Sequence, residues 1–397
     1  MVSRSGTGSS AMNGMPWSVV RREWSLLIGA VLLVTLEVSH VLDWLVLQNS
    51  ALVLGGLLLL SLSVLLLARR IAHHADHLAE HLGEPLGTLV LTGSVIVIEL
   101  ALVSSTMLTG ERNPTLARDS MFSVLMIVLT GVKGISLILA ARFQKQGRTV
   151  PMQLEDMASL NQGGSSAYIN LITTMSVLVL ILPNVSTDSS EANYSVPINW
   201  LLTAVSLGLY AAFLRFQVGS YRNLFMEMPE QLALSRETTS HAPEAGSGSS
   251  SPALHHGLLM LIGLVVLVLI AESMGLLIET GITDLGLPSS LGGLLVGVLV
   301  VAPEALNAFQ SANRGEVQRS LNTLYGSSLS TLCLTVPAVL MLGEWIHTDV
   351  VLGLEPMESL LLALTLVLVR PISGRVSELD GLMLLTVGVV WVALQIV

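Results

Sequence analysis

Two glutamates stand inside long apolar stretches of the chain at matched positions. Glu99 and Glu304 each end a segment of the same length that begins with a Leu-Gly pair, LGTLVLTGSVIVIE and LGGLLVGVLVVAPE. A carboxylate in lipid is costly unless it faces a polar cavity or a partner. Carboxylate oxygens suit hard cations such as sodium or calcium, and the same oxygens accept protons. The sequence therefore predicts a site that binds a cation and protons in turn, with Glu99 and Glu304 as its metal ligands.

Other oxygen atoms near the two glutamates could complete this site. Pro303 precedes Glu304 and has no amide hydrogen, so we expect a kink that frees the carbonyls near Leu299 and Val300 as ligands. Further candidates are side chains that lie within two turns of a glutamate or on the next helix: Ser94, Thr130, Asn307, Asn322, Ser327 and Ser328. For each serine and threonine, a bond to its own helix backbone is the alternative.

Three more ionisable residues in apolar segments are candidate modulators. Lys133 could extend to the membrane interface, or it could form an ion pair with Glu99 while no cation is bound. Glu37 and Glu272 lie deep enough in their segments to be secondary sites or part of a proton path. Glu37 also shares a helix face with His40 and Asp43, which leaves a metal site on this helix as an alternative.

A histidine-rich segment precedes the stretch that contains Glu99. Its histidines are His73, His74, His77 and His81. Spacing of four residues could hold a transition metal, and histidine titrates near physiological pH. We interpret the segment as a solvated amphipathic turn that leads to Pro85, with pH sensing as the alternative.

The composition predicts a membrane protein with many helices. Of 397 residues, 52% are hydrophobic and only 12% are charged, and apolar runs of about 18 or more residues recur along the chain. The fold class is therefore an all-α polytopic membrane protein with about eleven transmembrane helices. Their predicted ranges are 24–47, 51–68, 86–109, 120–141, 166–183, 198–216, 256–280, 289–309, 320–342, 351–369 and 380–396.

The basic residues predict the orientation of these helices. All arginines and lysines of the connections, apart from Arg112 and Arg118, fall on the side of the amino terminus, which the positive-inside rule places in the cytoplasm. The segments with Glu99 and Glu304 then run in opposite directions, as in an inverted-topology repeat. We expect a cytoplasmic tail and extra helix 1 in residues 1–50, a first exchanger repeat (helices 2–6) in 51–217, a flexible cytoplasmic linker in 218–254, and a second exchanger repeat (helices 7–11) in 255–397.

Several function classes lack support in the sequence. There is no phosphate loop and no nucleotide or Gly-x-Ser-x-Gly motif, so we expect no ATP drive, no nucleic-acid partner, no cofactor and no enzymatic activity. The expected partners are the transported cations, protons and the lipid bilayer, and a homo-oligomer is left open. Cys333 is the only cysteine, so an internal disulfide is excluded.

Longer stretches resemble a known family of transporters. HHADHLAEHLGEPLGTLVLTGSVIVIEL with NPTLARDSMFSVLMIVLTG, and APEALNAFQSANRGEVQRSLNTLYGSSLSTLCLTVPAV in the second half, are similar to the bacterial Cha-type cation/proton antiporters of the calcium/cation exchanger superfamily. The resemblance implies an inner (plasma) membrane exchanger with two inverted five-helix halves that expels sodium, potassium or calcium against protons. It implies that Glu99 and Glu304 match the paired acidic residues of the two repeats.

The predicted function is secondary antiport of Na⁺, K⁺ and/or Ca²⁺ for H⁺ by alternating access. Two alternatives from other classes are a passive cation channel and a membrane-embedded metal-dependent hydrolase built on the Glu37-x-x-His40 pair. Flux that ignores the proton gradient would favour the channel. A stoichiometric bound metal would favour the hydrolase.

Overall fold

The computed structural model describes residues 23–39, 50–82, 86–109, 115–145, 157–186, 194–226, 253–286, 288, 290–347, 350–371 and 374–396. Within these ranges the chain is almost entirely helical, and each apolar segment predicted above overlaps a helix. Apolar sequence of this length folds into helices because a helix satisfies its backbone hydrogen bonds internally.

Eleven helical segments of 13 residues or more follow one another in the described ranges. They are α1 (Trp24–Ser39), α2 (Ser50–Leu82), α3 (Leu86–Thr109), α4 (Leu116–Lys145), α5 (Gln162–Ile181), α6 (Val196–Val218), α7 (Ala253–Leu285), α8 (Ser290–Asn313), α9 (Val317–Ile346), α10 (Pro356–Leu368) and α11 (Glu378–Ile396). Eight of them are long and apolar enough to cross a membrane, and the described parts of α1, α3 and α10 are shorter apolar helices. The protein is a polytopic membrane protein.

The histidine-rich segment differs from its predicted form. Residues 73–81 are not a solvated turn but the last turns of α2, which continues to Leu82. Between Ile71 and Leu82 the sequence has neither glycine nor proline, so nothing interrupts the helix before Gly83. His74 is fully buried, and its ring nitrogens contact Glu23 and His256.

Three of the long helices contain a turn of π-helix, a feature often found at functional sites. The π turns are Ile127–Val132 in α4, Val177–Ile181 in α5 and Thr331–Thr335 in α9. The π turn of α9 packs against α3, which carries Glu99. The π turn of α4 packs against α8, which carries Glu304.

Two glycines allow α8 to lie against the backbone of α4. A Cβ atom on Gly293 would stand 2.7 Å from the carbonyl carbon of Asp119, and one on Gly297 would stand 2.9 Å from the Cβ of Ser123. Small residues permit this close approach between membrane helices. The glutamate helix of the second half (residues 253–396) is thereby fixed to the first half (residues 50–226).

The connections on one side of the molecule are joined to each other. Two short antiparallel strands, β1 (Ala158–Ser159) and β2 (Arg375–Val376), pair before α5 and before α11. The backbone N–H of Asn161 donates to the side-chain oxygen of Gln318 at the start of α9, over 2.8 Å. We call this side, with the ends of α2, α6 and α8 and the starts of α5, α7 and α9, the basic face. Among its described basic residues are Arg69, Arg70, Arg319 and Arg375.

Candidate cation and proton site

The carboxyl group of Glu99 is buried in the middle of α3. Glu99 is 2% exposed, and its Oε1 atom has no hydrogen-bond partner among the described residues. The hydroxyl groups of Thr331 and Thr335, in the π turn of α9, lie within reach of this carboxyl. Within the described residues the Thr335 hydroxyl forms no hydrogen bond of standard geometry, so its oxygen is a candidate ligand.

The carboxyl group of Glu304 is also buried, close enough to Glu99 for their charges to interact. Glu304 is 9% exposed, its Oε2 atom has no hydrogen-bond partner within the described chain, and its charge interacts with that of Glu99. Two neighbouring carboxylates repel each other, so their protonation is coupled. A buried pair of this kind is stable with protons or a cation bound, and costly when both groups are charged and the site is empty.

Pro303 leaves a backbone oxygen near Glu304 without its usual donor. Proline has no amide hydrogen, so the carbonyl of Leu299 receives no bond from the residue four positions later. Leu299 and Val300 are both buried. The carbonyl of Leu299 therefore stays a candidate ligand, one turn before the Glu304 carboxyl.

A cavity of about 510 Å³ connects Glu304 with the basic face. Its wall includes Arg69 and His73 of α2, Tyr168 of α5, Gln217 of α6, and Asn322 and Ser327 of α9. Glu304 lines this cavity, whereas Glu99 does not. An ion that enters from the basic face would therefore meet the Glu304 carboxyl before the Glu99 carboxyl.

The structure places the other predicted ligands in different surroundings. Ser327 and Asn307 line the cavity, and the Ser328 hydroxyl is buried without a partner in the described part of the chain. Ser94 is buried in α3 on the helix of Glu99. Thr130 donates to the carbonyl of Met126 in its own helix, over 2.5 Å, which is the alternative stated for hydroxyl residues.

Asn322 lines the cavity, but its amide is already engaged. Its Nδ2 atom donates to the carbonyl of Phe225 over 2.6 Å, and its Oδ1 atom accepts from Gln318 over 2.8 Å. The bond to Phe225 attaches the 3-10 turn Arg222–Phe225 to α9, and the bond from Gln318 lies within α9. Asn322 therefore holds the wall of the cavity in place, and its oxygen is not free for a cation in this structure.

Lys133 does not contact Glu99 in this structure. It is 4% exposed, and its ammonium group donates to the carbonyl of Val369, over 2.6 Å, at the end of α10. It also lies over the ring of Tyr325, 5.1 Å from the ring centre. Neither the predicted reach to the interface nor the predicted pair with Glu99 is seen. A helix end attracts a cation because its last carbonyls have no partners in the helix.

The remaining candidate residues lie apart from the cavity or outside the described residues. Glu272 is exposed on α7 and is not among the residues that line the cavity. The side chain of Glu37 and the whole of His40 and Asp43 lie outside the described residues. In the part of the chain that the structure describes, no three His, Cys, Asp or Glu side chains are arranged to hold a metal ion.

Sequence reasoning missed Thr331 and Thr335, although a signal for Thr335 was present. Ser123 follows Glu99 by 24 residues and Thr130 follows it by 31. Ser328 follows Glu304 by the same 24 residues and Thr335 follows it by the same 31. The match between the Leu-Gly segments thus continues into the next helix of each half.

A many-helix membrane protein with a buried carboxylate pair beside a polar cavity has the features of an ion transporter. The model of the sodium/calcium exchanger protein family matches residues 50–219 and 255–397. The chain belongs to this family, which confirms the resemblance found in the sequence.

Individual relatives agree with this assignment. The chain is 30% identical over 336 residues to the sodium-potassium/proton antiporter ChaA of Escherichia coli (strain K12), covering 84% of this chain and 87% of that protein. It is 28% identical to the putative ionic transporter y4hA of Sinorhizobium fredii, covering 81% and 83%. The solved structure of the Ca²⁺/H⁺ antiporter YfkE has the same fold, with a TM-score of 0.65, 15% identity, and 94% and 98% of the two chains covered.

Proposed function

We propose that this protein is a secondary antiporter that exchanges Na⁺, K⁺ and/or Ca²⁺ for H⁺, and that Glu99 and Glu304 are shared between the cation and the protons. One observation carries the proposal. Two buried glutamates, from α3 and α8, interact with each other, and each has a carboxylate oxygen with no partner in the described residues. Family membership supports antiport as the general mode of action.

Charge balance at the pair gives the possible loads of the site. A buried site with two negative carboxylates is least costly when its load carries two positive charges. Two protons, one calcium ion, or one monovalent cation with one proton meet this condition. Calcium would then displace two protons, and sodium or potassium would displace one.

The closed surroundings of Glu99 favour alternating access over a continuous pore. The cavity from the basic face reaches Glu304, while Glu99 remains 2% exposed. An antiporter needs a site that opens to one face at a time, and a channel needs a path through both faces. The structure therefore corresponds, in this proposal, to the state that is open to the basic face.

The expected setting is a bacterial inner membrane with the basic face in the cytoplasm. The positive-inside rule supports this orientation, because the described basic residues concentrate on that face. Helices α2–α6 and α7–α11 would form the two inverted repeats, with α1 as the extra element. The matched spacings from each glutamate to the serine and threonine that follow it support this division.

The proposal can be tested with purified protein in liposomes that hold a pH gradient. Addition of NaCl, KCl or CaCl₂ should dissipate the gradient with the wild-type protein and should fail to do so with Glu99→Gln and Glu304→Gln. Glu272→Gln is the matched control, because Glu272 is an exposed glutamate in an apolar helix. Exchange that persists in both site variants would reject the assignment of the site. Cation flux that ignores the pH gradient would favour the channel.

A further inference from the structure

Two histidines join α2 to α7 near the basic face. The Nδ1 atoms of His74 and His256 are 3.0 Å apart. The other ring nitrogen of His74, Nε2, lies 3.1 Å from a carboxylate oxygen of Glu23. Glu23 accepts from both Nε and Nη2 of Arg70. A line of polar contacts thus runs from α7 through α2 to the residue that precedes α1.

The contact between the two histidines can hold only one proton. A hydrogen bond between two ring nitrogens needs one that donates and one that accepts. The carboxylate of Glu23 is an acceptor, so Nε2 of His74 carries a proton. The Nδ1 atoms then share a second proton, which belongs to either His74 or His256. If both Nδ1 atoms are protonated, two N–H groups face each other and the hydrogen bond is lost.

The charged groups around the two histidines disfavour the binding of an additional proton by the pair. Besides Glu23, the described groups that face it are Arg70, His73, His77, His81 and His255. The ring of His77 lies 4.9 Å from that of His256, and the ring of His255 lies 6.0 Å from it. Glu23 is the one anion in this described set, and it contacts His74, not His256. Among these described groups, a charged His256 therefore meets only neutral or positive neighbours.

The pair is connected with the transport cavity. Arg69 and His73, on the same turns of α2 as His74, line the cavity that reaches Glu304. Both α2 and α7 pack against α3, which carries Glu99. A change in the contact between α2 and α7 would therefore shift the cavity wall and the helix that carries Glu99.

We propose that His74 and His256 form a proton-counting latch between α2 and α7. The proton that the two Nδ1 atoms share keeps the latch closed. One further proton, taken up from the basic face, breaks their hydrogen bond, opens the latch and slows exchange. The effect on exchange rests on the proposed function, whereas the latch itself does not. In an antiporter that brings protons in across this face, such a latch would stop proton entry when that side is already acid.

The decisive variant keeps the hydrogen bond to His74 and replaces His256 with a side chain that does not titrate. In His256→Asn the side-chain amide can both donate and accept, so it can pair with His74 whether Nδ1 of His74 is protonated or not. His255→Asn is the matched control, because His255 is the neighbouring exposed histidine and no hydrogen bond to His74 is found for it. If His256→Asn does not fold, His256→Gln offers the same amide and takes its place.

The first measurement is the exchange rate with the pH of the two liposome faces set separately. When the pH at the basic face falls from about 8 to about 5.5, across the range of histidine, the wild-type rate should fall about tenfold more than that of His256→Asn. His255→Asn should follow the wild-type protein. Equal acid dependence in the wild-type protein and His256→Asn would overturn the effect on exchange.

The second measurement follows the latch without transport. Hydrogen–deuterium exchange of peptides from the end of α2 and the start of α7 is compared between wild-type protein and His256→Asn at the same pH, which cancels the chemical dependence on pH. The two proteins should match at about pH 8, and the wild-type peptides should exchange faster at about pH 5.5. Equal exchange at both values would overturn the latch. A difference in a protein that performs no antiport would leave the latch standing and reject the proposed function.

Discussion

Thr335 of α9 lies within reach of the Glu99 carboxyl of α3, so a hydroxyl from the second half completes the surroundings of the first-half glutamate. Thr335 follows Glu304 by the same number of residues as Thr130 follows Glu99. The Thr130 hydroxyl, by contrast, donates to its own helix. The two threonines hold equivalent positions in the sequence, but only the Thr335 hydroxyl faces a glutamate in this structure.

Replacement of this threonine should weaken cation binding without loss of the fold. Thr335→Val keeps the shape of the side chain and removes the oxygen that faces Glu99. A lost ligand to a charged site is expected to raise the KM for the cation about tenfold, with a smaller effect on the maximal rate. Thr365→Val is the control, because this buried threonine of α10 bonds the carbonyl of Leu361 in its own helix. Equal KM values for both variants would contradict a role of Thr335 in binding.

Removal of the buried lysine should lower stability, not cation affinity. Lys133→Met leaves the Val369 carbonyl at the end of α10 without its donor, and an unpaired buried group costs about 1–3 kcal/mol. We expect a lower melting temperature in detergent and an unchanged KM for each cation. A higher apparent cation affinity with an unchanged melting temperature would instead support a competing pair with Glu99.

The contact between α8 and α4 predicts a strong dependence on residue size. Gly297→Ala places a methyl group 2.9 Å from the Cβ of Ser123 and 3.2 Å from the Val124 amide nitrogen. We expect a loss of about 1–3 kcal/mol of stability, because the backbone of α4 would have to shift. Gly55→Ala is the matched control, since a Cβ atom there has no heavy atom within 4 Å. Similar melting temperatures for the two variants would contradict the close approach of the helices.

The ion pair at the start of α1 should survive mild acid. Burial raises the pKa of Glu23, but the hydrogen bonds and charges of Arg70 and His74 lower it by more, so it lies below the ordinary value of 4.5. Stability from a carboxyl with a lowered pKa is fully present above its unfolded value and is lost as the pH falls through its folded value. Glu23→Gln should therefore still lower the melting temperature at about pH 5.5, as it does at about pH 7.5. A penalty that disappears between these two values would contradict this assignment.

This prediction also separates two kinds of acid effect. The carboxylate of Glu23 should stay charged throughout the range in which histidine titrates. An opening of the basic face between about pH 8 and about pH 5.5 would therefore come from the histidines rather than from the ion pair.

Much of the fold followed from hydropathy, because a membrane helix must be apolar along its length. The residues of α3 and α8 are of this kind, and their ranges agree closely with those expected. The end of α2 was missed because His73, His74 and His77 look solvated in the sequence. Only the partners Glu23 and His256, distant in the chain, explain how His74 is buried in a helix.

The two glutamates could be selected from the sequence as candidates because a carboxylate inside an apolar helix is costly unless it has a partner or a polar cavity. The neighbours of the site could not be predicted in the same way. The spacing after Glu304 distinguishes Thr335 from the other hydroxyl residues, but its approach to Glu99 depends on the packing of the π turn of α9 against α3, which the sequence does not show. Lys133 donates to the carbonyl of Val369 at the end of α10, which is distant in the sequence.

Proton release on cation binding tests the shared site most directly. Purified protein in weakly buffered detergent solution, near neutral pH, is mixed with Na⁺, K⁺ or Ca²⁺, and a pH indicator records the protons that are set free. We predict that binding of a transported cation releases protons, about two for calcium and about one for a monovalent ion, and that Glu99→Gln and Glu304→Gln each reduce this release. Cation binding by the wild-type protein with no proton release, or undiminished release from both variants, would contradict a pair of glutamates shared between cation and proton.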